Sequence, residues 1–125
     1  MNCVKRKYFD DKKTQICIEY FIFNNKAEGK FERFYPNKRL FQIQYFIDNC
    51  IEGEFKDYHE NGNLALIYNI KNSKKEGISK QYYASGELFI IYNCKDGKVD
   101  GEFKIYHKNG QLKEIRNYKN GEKIS

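Results

Sequence analysis

Four glycines, Gly29, Gly53, Gly77 and Gly101, stand 24 residues apart, and this interval constrains the fold more than any other feature of the chain. The same interval carries an aromatic column (Phe34, Tyr58, Tyr82, Tyr106), a leucine column (Leu40, Leu64, Leu88, Leu112) and an isoleucine column (Ile43, Ile67, Ile91, Ile115). A fifth column, Phe31, Phe55 and Phe103, is broken at Ser79, and a sixth alternates Tyr35, His59, Tyr83 and His107. Such self-similarity marks a chain built from one supersecondary unit that buries its apolar side chains against copies of itself. The expected organisation is a single domain over residues 1–125. It has four clear repeats over 29–125 and a degenerate unit over 1–28, where Ile16 and Tyr20 fall at Leu and Tyr positions.

Each unit reads as a hairpin. From Gly53 to Tyr68, two strand-like runs flank Asn61-Gly62, the dipeptide suited to the positive φ angles of a two-residue type I′ turn. Asn109-Gly110 repeats that turn and Ser85-Gly86 approximates it. Pro36-Asn37-Lys38-Arg39 in the first full unit predicts a looser turn or one of another type. Asp96-Gly97 and Asn120-Gly121 are turn signals between units, and the glycines as a whole read as turn residues. Eleven Tyr and ten Phe against a single Pro favour strands over helices. The expected fold is therefore all-β, a meandering antiparallel sheet of consecutive 24-residue hairpins with about ten strands.

A two-residue turn at Asn61-Gly62 would pair His59 with Leu64, Tyr58 with Ala65, Lys56 with Ile67 and Phe55 with Tyr68. Side-chain alternation then defines two surfaces. One holds Phe31, Phe55 and Phe103, the Tyr/His column, the leucine column, Tyr68 and Tyr92, and is the expected interior. The other holds Phe34, Tyr58, Tyr82 and Tyr106 with the isoleucines, interleaved with Lys56, Lys80 and Lys104; Glu32 takes the lysine position in the first unit. Ammonium groups need water or an acidic partner, so this second surface is not a dry core. Phe34, Tyr58, Tyr82, Tyr106, Lys56, Lys80 and Lys104 are accordingly the candidate partner-binding residues.

The run Gly-Glu-Phe-Lys-x-Tyr-His-x-Asn-Gly-x-Leu, at Gly53 to Leu64 and again at Gly101 to Leu112, resembles the MORN-repeat variant, found in bacterial proteins often labelled YwqK-type antitoxins. The resemblance spans about residues 29–122. It implies a meandering β-sheet used in protein or membrane association, and the antitoxin label implies that some relatives neutralise a partner toxin. The family pattern has no catalytic residues to carry over. Glu32, Lys38 and Ser79 depart from it in the first and third units.

The residues themselves offer no enzyme chemistry. His59 and His107 lie two units apart, about 19 Å at about 4.8 Å per strand, too far to share a metal ion. They stand where Tyr35 and Tyr83 stand, so packing beside a turn is the expected role. No nucleophile elbow, inward carboxylate pair or phosphate-cradling loop occurs, so neither catalysis nor a cofactor is expected. Cys3, Cys17, Cys50 and Cys94 form no CxxC pair and read as free thiols of a reducing compartment. The stretch from Met1 to Asp11 lacks the apolar core of a signal peptide, so a cytoplasmic location is the expectation. If a leader has been removed, export with Cys3 as a lipid-anchor cysteine is the alternative.

The net charge of +6 is spread along the chain rather than gathered in an arm. Three functions fit these surfaces. The first is a protein-binding module, an antitoxin-like inhibitor among the options. The second is peripheral association with acidic membrane surfaces. The third, single-stranded nucleic-acid binding, is disfavoured by Glu54 and Glu102 on the lysine-bearing face. Self-association would cover the same apolar columns.

Overall fold

The computed structural model describes residues 3–10 and 15–125, and among them there is no helix. Thirteen strands form one antiparallel sheet. They are β1 (Cys3–Tyr8), β2 (Ile16–Phe23), β3 (Lys26–Phe34), β4 (Leu40–Ile47), β5 (Cys50–Ile51), β6 (Gly53–Tyr58), β7 (Leu64–Lys71), β8 (Lys74–Lys75), β9 (Gly77–Tyr82), β10 (Leu88–Lys95), β11 (Lys98–Tyr106), β12 (Leu112–Lys119) and β13 (Glu122–Lys123). Eleven of them follow chain order across the sheet, and β5 and β8 are the starts of strands that bend before continuing as β6 and β9. The substantial contacts all join sheet neighbours, so among the described residues no second layer covers either face. The surface area agrees: the protein exposes 8179 Å², against about 7,000 Å² for a compact globule of its mass.

Two kinds of turn alternate, and their chemistry is the reverse of the sequence expectation. Type I′ turns lie between units, with positive φ at both central residues: Asn24-Asn25, Asp48-Asn49, Asn72-Ser73, Asp96-Gly97 and Asn120-Gly121. Within a unit the loop has three residues. At Glu60-Asn61-Gly62, His59 N–H donates to Asn63 O and Gly62 N–H donates to His59 O, while only Gly62 has positive φ. This is a type I turn closed by a glycine bulge. Asn61 is there for its side chain, whose Oδ1 accepts from Asn63 N–H at 2.9 Å, as Asn37 and Asn109 do from Arg39 and Gln111. The first unit makes the same turn with Lys38 at φ 72° in the glycine position, so it is neither looser nor of another type.

The longer loop shifts the register. Phe55 pairs with Tyr68 and Lys56 with Ile67 as expected, but Tyr58 opposes Leu64 and His59 faces Asn63. Ala65 is the extra residue of a bulge that recurs at the equivalent place in the β3–β4, β9–β10 and β11–β12 pairs. The bulge turns the leucines to the Tyr/Ile face and the next residue to the Phe face, where Phe41 packs at a tilt against Tyr35 and Phe89 against Tyr83 at ring separations of 4.9 and 4.7 Å. The leucine column is therefore not part of the Phe face.

The Phe face is the better buried one. The buried residues Gln44, Ser79, Tyr92 and Cys94 all lie on it. Its rings form cross-strand pairs, Tyr20 on Phe31, Phe55 on Tyr68 and Tyr92 on Phe103, at 5.1, 4.6 and 5.0 Å. Each is worth about 0.5 to 1.5 kcal/mol beyond its area. Where Ser79 interrupts the Phe column, the Lys75 ammonium lies 4.2 Å from the Tyr68 ring centre and 3.4 Å from the Tyr92 hydroxyl.

Adjacent units are clamped at both ends. Gly29, Gly53, Gly77 and Gly101 are not turn residues: they sit at strand bulges with φ between 76° and 93°. An added Cβ would meet nothing within 4 Å, so glycine is required there by backbone angle and not by space. The bulge presents the acidic residue before each glycine to the next type I′ turn, where Glu28, Glu52 and Glu76 accept from the amides of Asp48, Asn72 and Asp96. At the opposite end, Tyr35 and Tyr83 hydroxyls donate to the Tyr58 and Tyr106 carbonyls at 2.6 Å. His59 Nε2 lies 2.8 Å from the Tyr82 carbonyl, which can only accept, so that nitrogen carries the proton.

Candidate functional site

Eight of the exposed large apolar residues, Val4, Phe21, Phe23, Tyr45, Ile47, Ile78, Leu112 and Ile115, project from one side of the sheet, the Tyr/Ile face. The cause lies in the register. The residues opposite them on the Phe face are covered by stacked rings, whereas this face has only its own columns for cover. Both edges of β9 show it: Lys80 is flanked across the sheet by Ile67 and Ile91.

The candidate residues occupy equivalent places on this face: Phe34 on β3, Tyr58 and Lys56 on β6, Tyr82 and Lys80 on β9, Tyr106 and Lys104 on β11. All are half-buried, with Tyr58 directly across from Leu64 and Tyr82 from Leu88. At the middle of the strip, Leu64, Ile67, Ile78, Lys80, Tyr82 and Ile91 line an open depression of about 570 Å³. A second depression shares Ile78 and Ile91 and runs on to Lys104. Phe34 lines a separate hollow with Ile16 and Lys38.

The lysines are not equivalent. Side chains two residues apart on a strand share a face, and three units use this to neutralise themselves. Lys30 pairs with Glu32 at 3.8 Å, Lys56 with Glu54 at 3.1 Å and Lys104 with Glu102 at 3.9 Å. The hydrogen bond that the Lys56 ammonium donates to Glu54 holds its pKa above the ordinary value, and solvent exposure keeps the energetic value of such pairs small. In the third unit Ile78 stands where the acid would be, and Lys80 has no acidic partner among the described residues.

The Phe face carries the groups whose protonation burial perturbs. Burial raises the pKa of the Cys94 thiol, opposed by the nearby Lys75 ammonium, and burial likewise raises Tyr68. These are consequences of packing. Among the described residues no group of three or more His, Cys, Asp or Glu side chains is placed to hold a metal ion. His59 is part of the inter-unit clamp, and His107 is exposed.

Sequence reasoning missed three contributors to this face. Leu64 and Leu112 were expected on the other side, and only the bulge, which depends on the loop being three residues long, brings them here. Ile78 breaks the Glu-x-Lys pattern of Glu54-Phe55-Lys56 and Glu102-Phe103-Lys104, a visible departure whose effect needs the ion-pair geometry to be seen.

The units so defined, each a hairpin bounded by type I′ turns, coincide with those of a known repeat. The MORN repeat variant matches residues 51–72, 75–96 and 99–120, more than half of the chain. The chain belongs to the MORN repeat variant family. MORN repeats are in general modules of protein and membrane interaction. No curated protein matches the chain.

Proposed function

We propose that this protein is a non-enzymatic module that binds a partner protein through its Tyr/Ile face, and that it acts as an antitoxin does, by occluding the partner. The observation that carries this reading is the gathering of exposed apolar side chains on one face of a one-layer sheet, since apolar patches of this kind mark interaction surfaces. The tyrosine column adds interface-favoured side chains in a rigid row. An acidic membrane is the weaker reading, because three of the four units cancel their lysine with a glutamate on the same face. Attraction to an anionic lipid layer needs uncompensated cations.

The test is a paired measurement on the same variants: thermal melting, and capture of a partner identified from the native cell. Tyr58→Ser with Tyr82→Ser leaves the clamps in place, because Tyr35 and His59 bond the backbone carbonyls at these positions. These changes are expected to abolish capture with a small loss of stability. Phe55→Ala, on the Phe face, is expected to unfold the chain at lower temperature while the folded fraction still binds. If the tyrosine pair melts as early as Phe55→Ala, the Tyr/Ile face is structural and the reading is wrong.

A further inference from the structure

Resting on the preceding reading, the geometry points to a specific recognition element on that face: a notch around Lys80 that takes an extended segment of a partner protein carrying one carboxylate between apolar side chains. Lys80 stands over the 570 Å³ depression, with Ile67 and Ile91 on the adjacent strands and Leu64, Tyr82 and Ile78 around it. Ile78 is 52% exposed, although the units on either side place an ion-paired glutamate at this position. A cation flanked by Ile67, Ile78 and Ile91 and without an ion pair among the described residues is the complement of an acidic group with apolar neighbours. Pairing there would be less screened than at an open surface.

The rim argues for a discrete carboxylate rather than a membrane. Glu54 borders the depression on one side, and Glu102 and Asp100 border its continuation on the other. A continuous layer of anionic headgroups would press against these acids while meeting Lys80. A single acidic side chain on an extended strand avoids them, and its flanking apolar groups can reach Ile67 and Ile91, one on each adjacent strand. The third unit is thus the specificity-setting unit of a face whose other units supply general apolar contact.

The experiment is selection of a random displayed peptide library on the intact chain, followed by affinity measurement of the selected peptides against three variants. Ile78→Glu recreates the pattern of the neighbouring units and so preserves the fold while giving Lys80 an internal partner. Lys80→Glu reverses the charge, and Tyr106→Ser alters the face outside the notch. The expected result is a consensus with Asp or Glu flanked by aliphatic residues. Its affinity should fall about tenfold or more in Ile78→Glu and Lys80→Glu, and recover in Lys80→Glu when the peptide acid is changed to Lys. Peptides that lack an acid, or that bind Ile78→Glu as well as the parent chain, overturn the notch. If those same peptides lose affinity in Tyr106→Ser, binding through the face survives that failure. If no peptide is selected and the chain instead binds phosphatidylserine vesicles in a Lys80-dependent way, both the notch and the protein-binding reading fall.

Discussion

Lys38 occupies a position that three other units give to glycine, and replacing it should make the protein more stable. Its φ of 72° is the left-handed region, where Gly62, Gly86 and Gly110 sit at 94°, 108° and 87°. A residue with a Cβ is destabilised there by about 1 to 2 kcal/mol. Glycine gives back about 0.4 to 1 kcal/mol through the greater freedom of the unfolded chain. The net expectation for Lys38→Gly is a gain of about 0.5 to 1 kcal/mol. With an unfolding entropy of roughly 2.1 cal/mol/K per residue, that corresponds to a rise in Tm of about 2 to 4 °C. The backbone bonds of the turn, Lys38 N–H to Tyr35 O and Tyr35 N–H to Arg39 O, do not depend on the side chain. Calorimetry measures the whole effect, and amide exchange at Tyr35 and Lys38 measures it locally, with exchange slowed about two- to fivefold. Gly110→Ala is the converse, since an added Cβ there meets nothing within 4 Å and only the backbone angle is at stake; it should lose about 1 kcal/mol. If Lys38→Gly melts at or below the parent while Gly110→Ala is neutral, backbone angle is not what selects glycine in these turns.

Ser79 is 1% exposed and its Oγ has no hydrogen-bond partner, so Ser79→Ala should stabilise by about 1 kcal/mol in urea titration, whereas a stabilised hydroxyl would make that change neutral or harmful. His59→Ala removes a clamp onto the third unit and should cost about 1 to 2 kcal/mol, while His59→Tyr should be tolerated because Tyr35 and Tyr83 make the same bond to a carbonyl. Equal melting of the two variants would remove the clamp from the account. Cys50 is exposed and Cys94 is buried with its thiol pKa raised by that burial, so iodoacetamide at neutral pH should label Cys50 well before Cys94, as read by peptide mass. Raising the pH by one unit should leave Cys94 slow until the protein unfolds, because burial holds its thiol pKa up.

The columns were legible because sheet neighbours repeat at a constant interval: Phe55 against Tyr68 and Lys56 against Ile67 follow from sequence spacing alone. The loop was not, because Asn-Gly serves both a two-residue turn and the end of a three-residue one, and the choice turns on the φ of a single asparagine. Asn61 keeps negative φ and uses its amide oxygen instead, and this one residue of difference carried Leu64 to the opposite face. The glycine column misled in a similar way, since positive φ is needed equally at a turn and at a strand bulge, and only pairing distinguishes them. At the site, Tyr58, Tyr82 and Lys80 could be placed on one face from alternation. The isolation of Lys80 could not, because it depends on which acids reach which lysines.

The clamps between units have a consequence for how the chain folds and how it can be edited. The longest of them, Tyr35 to Tyr58, His59 to Tyr82 and Tyr83 to Tyr106, join residues 23 apart. No step in assembly therefore closes a longer loop than one hairpin and its neighbour, which gives an all-β chain the low contact order more usual among helical bundles, with faster folding to match. The same locality makes 24 residues the quantum of length. Excising residues 74–97 would join Ser73 to Lys98 and hand the turn at Asn72-Ser73 the strand β11 in the phase of the lost one. Excising one residue more would turn every side chain beyond the joint to the opposite face.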